Sequence, residues 1–308
     1  MLARPMDVLT AFPVRKSKKQ KQAFRDAVQS YAQSLGYSVA TEKGSLGSRN
    51  VVIGDPETAK ILVTAHYDTC ARLPVPNLIT PCNFWAFMAY QVFLTIVIFV
   101  PIILASLLLN FLTNDAQLTS VAMEAMLILA IVLIYVGPAN KHNANDNTSG
   151  VVAVLEIART LPENQRHKVC FVLFDLEEAG LIGSASHRKK HKKATNKQIV
   201  LNLDCVGDGD AMVMFPTAKL KKDRVKLTSL YKACGYFGEK SITVREKGFS
   251  FYPSDQANFP YGVGICALNK SKFGYYLGRI HTPKDTVLEE TNVNILRAAL
   301  STYISCDA

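Results

Sequence analysis

Five short segments of the sequence carry histidines and carboxylates of the kind that ligate a hydrolytic metal ion. In chain order they are His66-Tyr67-Asp68, Asn145-Asp146-Asn147, Asp175-Leu176-Glu177-Glu178, the single residue Asp204, and His281-Thr282-Pro283-Lys284-Asp285. The first, third and fourth follow runs with the composition of buried strands, and ligands in α/β sheets gather at the carboxyl ends of strands. Taken singly, each segment has an ordinary interpretation as a helix cap, a turn or a surface histidine. Together they predict one metal-binding crevice.

The elements that must position these segments alternate between strand and helix patterns. Strands are predicted near residues 50–53, 60–65, 168–174, 199–203, 211–215, 241–245 and 264–268. Helices are predicted near residues 17–35, 149–161, 181–193, 221–234 and 293–306. This order predicts an α/β fold of three layers, in which helices cover both faces of a central mixed sheet.

A long apolar insertion separates the first two of these segments. Residues 84–112 contain no charge and are long enough to cross a hydrocarbon core of ~30 Å with some tilt. A second apolar run, residues 118–136, is interrupted only by Glu124, which lies near the polar turn, where a carboxylate costs less than at the bilayer centre. The alternative is a pair of core helices, or an apolar oligomerisation arm, in a soluble protein. We predict a transmembrane hairpin at 81–139 inserted into a catalytic domain formed by 1–80 and 140–308.

A hairpin returns the chain to the side it left, so both parts of the catalytic domain share one compartment. Arg72 and Lys141 flank the hairpin and Asp115 lies in its turn, so the positive-inside rule predicts a cell-membrane protein with a cytoplasmic catalytic domain. The first twenty residues lack the apolar core of a secretory signal. The seven cysteines are scattered without a C-x-x-C pair, which is typical of a reducing compartment.

The positive charge of the chain has a membrane explanation. The formal net charge is +10, and leaving out Asp115 and Glu124 of the hairpin raises the charge of the remainder to 10 + 2 = +12. A basic domain held against an anionic inner leaflet is attracted to the negatively charged lipid headgroups. We therefore expect a lipid bilayer as partner and no nucleic acid.

The five segments, taken in order, resemble the M28 family of co-catalytic zinc peptidases. The resemblance rests on His-x-Asp at residue 66, Asp-Asn-x-Ser-Gly at 146, Glu-Glu-x-Gly-x-x-Gly-Ser at 177, Asp204, and His-Thr-x-x-Asp-Thr at 281. It implies two Zn²⁺ ions and a peptide substrate. The implied ligands are His66 and Asp204 for one ion, Glu178 and His281 for the other, and Asp146 as the bridge between them.

The same resemblance implies roles for two further carboxylates. Glu177 would be the general base that takes a proton from the attacking water. Asp68 would orient His66 through the far nitrogen of its ring. The family also implies a cis peptide bond after the bridging residue, between Asp146 and Asn147.

The implied activity is that of an aminopeptidase, with carboxypeptidase or dipeptidase activity as alternatives. Two other interpretations stay open: a glutaminyl cyclase, whose relatives of this fold bind one zinc ion, and a membrane receptor or scaffold without catalysis. The chain departs from soluble relatives by about eighty residues between His66 and Asp146. Because both ends of this insertion emerge beside the crevice, we expect a substrate presented at the membrane, or a hairpin that assembles with other copies.

Three smaller features have ordinary interpretations. The segment HRKKHKK, which begins at His187, is interpreted as a solvated helix face near lipid headgroups rather than as a metal or nucleic-acid site. Tyr252 is interpreted as a packed core residue, with an oxyanion donor as the alternative. Ser254-Asp255-Gln256 resembles a Ser-Asp-His segment of many relatives, and the Gln in place of His leaves its role open.

Overall fold

A single mixed sheet organises the computed structural model, which describes residues 2–272 and 274–307. Its strands are β1 (Val39–Lys43), β2 (Arg49–Ile53), β3 (Ile61–His66), β4 (Val169–Phe174), β5 (Ile199–Leu203), β6 (Ala211–Pro216), β7 (Gly235–Phe237), β8 (Lys240–Val244), β9 (Gly262–Ser271) and β10 (Gly274–Tyr276). The helices are α1 (Val8–Ala11), α2 (Lys18–Ser34), α3 (Phe84–Thr113), α4 (Ala116–Val136), α5 (Gly150–Thr160), α6 (Ile182–Lys190), α7 (Lys192–Thr195), α8 (Ala218–Lys222), α9 (Arg224–Ser229) and α10 (Glu290–Asp307). The predicted α/β class is confirmed.

The centre of the sheet is parallel, and the pairs outside it are antiparallel except for β6 and β8, which run parallel. The strand order is β1-β2-β4-β3-β5-β9-β6-β8-β7, and β10 pairs with β9. Strand β3 runs parallel to both of its neighbours, β4 and β5, and β5 runs parallel to β9. The carboxyl ends of β3, β4 and β5 therefore lie side by side at one edge.

Helices cover both faces of the sheet, which confirms the three layers. Ile61 and Val63 of β3 belong to the larger core, together with residues of α2, α5 and α10. Leu62 points the other way, into a smaller core with Phe174, above which α6 packs. This alternation follows from the two-residue period of a strand, and burial on both faces explains why the central strands read as continuous apolar runs.

Most predicted elements are present, and the exceptions have local causes. Helix α2 begins where Ser17 accepts a hydrogen bond from the Gln20 backbone in a capping box. The helix predicted over 221–234 is broken, because Asp223 is extended and caps α9 through the Lys226 backbone. Strand β1 was not predicted, since it lies at the edge of the sheet and most of its side chains are polar and exposed.

Two apolar helices project from the sheet domain as a hairpin. Helices α3 and α4 have 30 and 21 residues, and both are long and apolar enough to cross a membrane. Asn114 ends α3 in the left-handed conformation, and the Asp115 side chain caps α4 at the Leu118 backbone. Only 11% of the apolar window of α3 and none of that of α4 is buried. This exposure distinguishes both helices from the core helices of a soluble protein.

A short pair of extended segments joins the hairpin to the sheet domain. Ala71 pairs with Ala139 in an antiparallel bridge, and the Arg72 backbone donates to the carbonyl of Pro138. The next residue, Leu73, donates its backbone N–H to the carbonyl of His281 at 3.0 Å. The base of the hairpin is therefore in direct contact with the last of the five segments.

Candidate metal centre

The strand order brings three of the five segments to one place. His66 is the last residue of β3. Glu177 and Glu178 follow β4, and Asp204 follows β5, so all of them lie at the edge where the three parallel strands end. Asp146 reaches the same point from the turn that precedes α5.

Asp146 lies at the centre of the cluster, and its two oxygens face different partners. Oδ1 is 3.2 Å from Nε2 of His66, which in turn is 3.7 Å from Oδ1 of Asp204. Oδ2 is 3.0 Å from Nε2 of His281, which is 3.6 Å from Oε2 of Glu178. The structure thus groups the five side chains into two sets that share one carboxylate.

The electrostatics of the cluster depend on burial and on the two imidazoles. Burial alone would raise the pKa of Asp146, but hydrogen bonds from His281 and His66 outweigh it and hold the pKa below the ordinary value. Burial raises the pKa of Glu177 and of Glu178 well above normal, and the negative charges of neighbouring carboxylates add to this effect. Three or more buried carboxylates without a compensating cation are costly.

Two buried atoms at this site lack partners among the described residues. One is Oε1 of Glu178 and the other is Nδ1 of His66, which lies 3.5 Å from Oδ1 of Asp68. An acceptor and a ring nitrogen left in this state are uncommon in folded proteins. The donor set, two imidazoles and three carboxylates, fits divalent zinc.

Asp68 holds the loop that carries the two glutamates. Its Oδ1 accepts the backbone N–H of Glu177 at 3.1 Å, and its Oδ2 accepts that of Glu178 at 3.3 Å. Asp68 is 3% exposed and does not line the crevice. Its contacts therefore position Glu177 and Glu178 more directly than they position His66.

Asp285 fixes the backbone at Asp146 in the same way, a role that was not predicted. Its carboxylate accepts the backbone N–H groups of Asn145 at 2.7 Å and Asp146 at 3.0 Å. Burial and the charge of Asp146 raise the pKa of Asp285 to about 8. The peptide bond between Asp146 and Asn147 is cis, as the family resemblance implied.

Two more buried ionisable side chains, Arg15 and Asp255, lie near the cluster, and the sequence assigned a role to neither. Arg15 is fully buried and donates to the carbonyl of Tyr67, next to His66. Burial, together with the negative charges of Asp68 and Asp204, raises the pKa of Asp255 to about 7. The motif containing Asp255 was visible in the sequence, whereas nothing around Arg15 distinguishes it from a surface arginine.

The backbone is unusual where three of the segments begin or end. Leu176, Cys205 and His281 have positive φ angles of 57°, 56° and 61°. Side chains with a Cβ rarely adopt this region, and such residues concentrate at functional sites. Leu176 and Cys205 flank the carboxylates, so the strained positions set the directions of Glu177 and Asp204.

The cluster opens into a cavity of about 530 Å³, and the hairpin forms part of its wall. Phe87 and Gln91 of α3 and Tyr135 of α4 line it. Tyr252 lines it as well, but its hydroxyl donates to the backbone carbonyl of Asp204 at 3.0 Å, as suits a packed residue. The predicted site side chains that line the cavity are His66, Asp146, Glu177, Glu178, Asp204 and His281.

Comparison with known proteins identifies the family. The model described as "Peptidase family M28" matches residues 131–303, which is more than half of the chain. The chain belongs to peptidase family M28. The aminopeptidase YwaD of Bacillus subtilis (strain 168) is 35% identical to this chain over 108 residues, or 34% of this chain and 22% of that protein. The match thus spans about a fifth of the relative's length.

Solved structures show the same fold at low identity. The LapA aminopeptidase of Legionella pneumophila superposes with a TM-score of 0.58 at 15% identity, over 98% of this chain and 70% of that one. A glutaminyl cyclase of Bacteroides thetaiotaomicron gives 0.58 at 16% identity, over 99% and 97% of the two chains. Because aminopeptidases and cyclases fit equally well, the fold does not choose between them.

Proposed function

We propose that this chain is a membrane-anchored, two-zinc aminopeptidase. The observation that carries the proposal is the division of the Asp146 carboxylate between two ligand sets. His66 and Asp204 would hold one ion, Glu178 and His281 the other, and Asp146 would bridge them. Bound there, two zinc ions would polarise the scissile carbonyl and lower the pKa of water in the site.

The chain's own residues supply proton transfer and positioning. Glu177 lines the cavity beside the ligand sets and would take the proton of the attacking water and return it to the leaving amine. Asp68 holds the Glu177 backbone at 3.1 Å, which keeps that carboxylate in place. Asp285 does the same for the backbone of Asp146.

A glutaminyl cyclase with one zinc ion is the second candidate. In such a site one of the two ligand sets would bind no metal ion. His66 nevertheless faces both Asp146 and Asp204, at 3.2 and 3.7 Å, and these are separations that two ligands of one ion can have. This contact favours two ions, and the aminopeptidase YwaD as a relative favours peptide hydrolysis.

We also propose that helices α3 and α4 anchor the chain in the cell membrane, with the catalytic domain in the cytoplasm. The boundaries of the hairpin and of the two-part domain are those predicted above. Support comes from the exposed apolar surface of both helices and from the flanking Arg72 and Lys141. Because Phe87 and Tyr135 line the cavity, the substrate would be a peptide that reaches the site at the membrane surface. The same exposed apolar surface of α3 and α4 could also pair with the hairpin of a second copy of the chain.

The test combines metal content with cleavage of paired peptides. Protein purified in detergent should hold two zinc equivalents that depend on His66 and His281, and should cleave a peptide with a free N-terminus while sparing its N-acetylated twin. Cyclisation of N-terminal glutamine, with only one zinc equivalent that depends on the crevice ligands, would establish the second candidate. Cleavage of blocked and free peptides at equal rates would refute the aminopeptidase.

A further inference from the structure

A second cluster of metal-binding side chains lies outside the crevice, on α6 and the edge of the sheet. His187 and His191 were expected on a solvated helix face, but both are buried, at 0% and 7% exposure. They are four residues apart and so share one side of the helix. Glu42 of β1, 6% exposed, faces them from the sheet. The lysines between and after the histidines are exposed, so the interpretation of this segment was wrong only for the two imidazoles.

The ligand atoms of this cluster converge. Nδ1 of His187 is 2.9 Å from Oε1 of Glu42, and Nε2 of His191 is 2.6 Å from Oε2 of the same carboxylate. The two imidazole rings are 4.5 Å apart between centroids. The far nitrogen of His191, Nδ1, is 2.6 Å from Oε1 of Glu57. A histidine whose second nitrogen is held by a carboxylate is the usual arrangement of a metal ligand.

Each histidine of the cluster is held at one ring nitrogen by Glu42, and the ligand atoms of Glu42, His187 and His191 lie within 4.8 Å of one another. His191 stands between two carboxylates, with Nε2 towards Glu42 and Nδ1 towards Glu57. Among the described residues, Nε2 of His187 has no hydrogen-bond partner in its buried position. The other charged groups that face the cluster are Lys190 and Asp55.

We propose that Glu42, His187 and His191 bind a divalent transition-metal ion, with Zn²⁺ as the best match, at a site separate from the catalytic crevice. A cation would occupy the place between His191 and Glu42, while the remaining N–H of His191 donates to Glu57. Two imidazoles, one carboxylate and an open position suit Zn²⁺. Tetrahedral zinc sets its ligand atoms roughly 3.3 Å apart, so the three groups need to separate by about half an ångström. Lys190, whose side chain is 58% exposed, can turn into solvent.

Such an ion would fasten α6 to the sheet. Glu42 belongs to β1, Glu57 to the turn before β3, and His187 to α6, whose C-cap is His191. The other end of α6 begins directly after the loop of Glu177 and Glu178. The role of the ion would be structural, because none of its ligands lines the catalytic cavity.

The experiment measures zinc per chain by mass spectrometry after equilibration of the detergent-purified protein in a buffer of fixed free Zn²⁺. His191→Gln should hold one equivalent less than wild type, and His142→Gln, the same change at an exposed histidine, should hold the wild-type amount. Glu57→Gln changes a half-exposed side chain that is no ligand. It should fold normally and weaken the binding of the same equivalent by about 10- to 100-fold.

The outcomes separate this site from the catalytic one. His66→Gln should lose metal from the crevice and keep the equivalent that depends on His191, whether or not the protein is a peptidase. Equal zinc content in wild type and His191→Gln, with Glu57→Gln also unchanged, would overturn the proposal. The cluster would then be held together by hydrogen bonds alone. Should His191→Gln fail to fold, the affinity of Glu57→Gln alone decides the question.

Discussion

At the scale of single residues, the site gives two adjacent glutamates different surroundings. Oε2 of Glu178 lies 3.6 Å from Nε2 of His281, whereas Glu177 lies nearer to His66 and Asp204. Both backbones are fixed by the same carboxylate, that of Asp68. One glutamate is therefore placed to bind a metal and the other to move a proton, as proposed above.

The first prediction concerns this division. Glu177→Gln should lower kcat by about 10² to 10⁴ with little change in KM, because the amide keeps the shape of the side chain and cannot accept the proton. Zinc content should stay at the wild-type value. Steady-state kinetics and metal analysis of the variant, with Glu163→Gln as an exposed control, check both statements. A Glu177→Gln enzyme of normal kcat would remove Glu177 from the mechanism.

The second prediction concerns a buried ion pair beneath the same loop. Nζ of Lys21 is 2.6 Å from Oδ1 of Asp175, and the two side chains are 10% and 4% exposed. Lys21→Met should destabilise the fold by about 3 kcal/mol, because it leaves the Asp175 charge buried without its cation. Lys19→Met, an exposed change on the same helix, should cost roughly 0.5 kcal/mol or less. Thermal unfolding of both variants measures the difference, and equal midpoints would contradict the prediction.

At the scale of elements, α3 belongs partly to the catalytic domain. Its 30 residues extend over about 45 Å, longer than a hydrocarbon core of ~30 Å. The rings of Phe87 and Phe251 lie 5.0 Å apart, and the Phe251 backbone donates to the carbonyl of Pro81. The first turns of α3 thus pack on the loop of Phe251, which also lines the cavity.

The third prediction tests this shared wall. Phe87→Ala should raise KM roughly tenfold for peptides with a large apolar first residue, and less for peptides that begin with alanine, because it removes apolar contact area from the cavity. Phe99→Ala, on the same helix but 45% exposed and outside the cavity, should leave KM unchanged. If both variants behaved alike, α3 would act only as an anchor.

At the scale of the whole molecule, the proposed orientation in the membrane rests on the hairpin and on the charge distribution. The apolar helices are exposed over nearly their whole length, and the basic residues lie in the rest of the chain. A second cavity of about 1100 Å³ lies between α3 and α4, is mainly apolar, and has Arg72 and Lys284 at its domain end. Two basic side chains at the end of an apolar groove suit the level of the lipid headgroups in a cytoplasmic leaflet, as the proposed orientation requires.

The fourth prediction tests that orientation in intact cells. Ala116→Cys places a thiol at the exposed start of α4, in the turn of the hairpin, whereas the native Cys306 is exposed on the catalytic domain. A membrane-impermeant maleimide should label the variant from outside and should reach Cys306 only after permeabilisation. Wild-type protein, which lacks a cysteine in the turn, is the control. Labelling of Ala116→Cys only after permeabilisation would show that the turn faces the cytoplasm.

The sequence by itself determined the fold class, most elements and the candidate side chains, because these are encoded locally. Strand β5 was predicted over 199–203 and is found as Ile199–Leu203, since a run of buried apolar residues has a clear signature. The candidate side chains were visible for the same reason, as each follows a strand or precedes a helix.

Only the tertiary structure decided what each of these residues touches. Arg15 contacts Tyr67, 67 − 15 = 52 positions away, and Asp146 contacts His66 and His281, 146 − 66 = 80 and 281 − 146 = 135 positions away. The placement of Phe87 in the cavity wall likewise depends on long-range contacts, such as the one with Phe251. His187 and His191 were wrongly predicted on a solvated helix face, because helical spacing shows which residues share a face but not which face is buried. That choice depends on long-range packing against β1 and β4, and packing is a property of the assembled sheet.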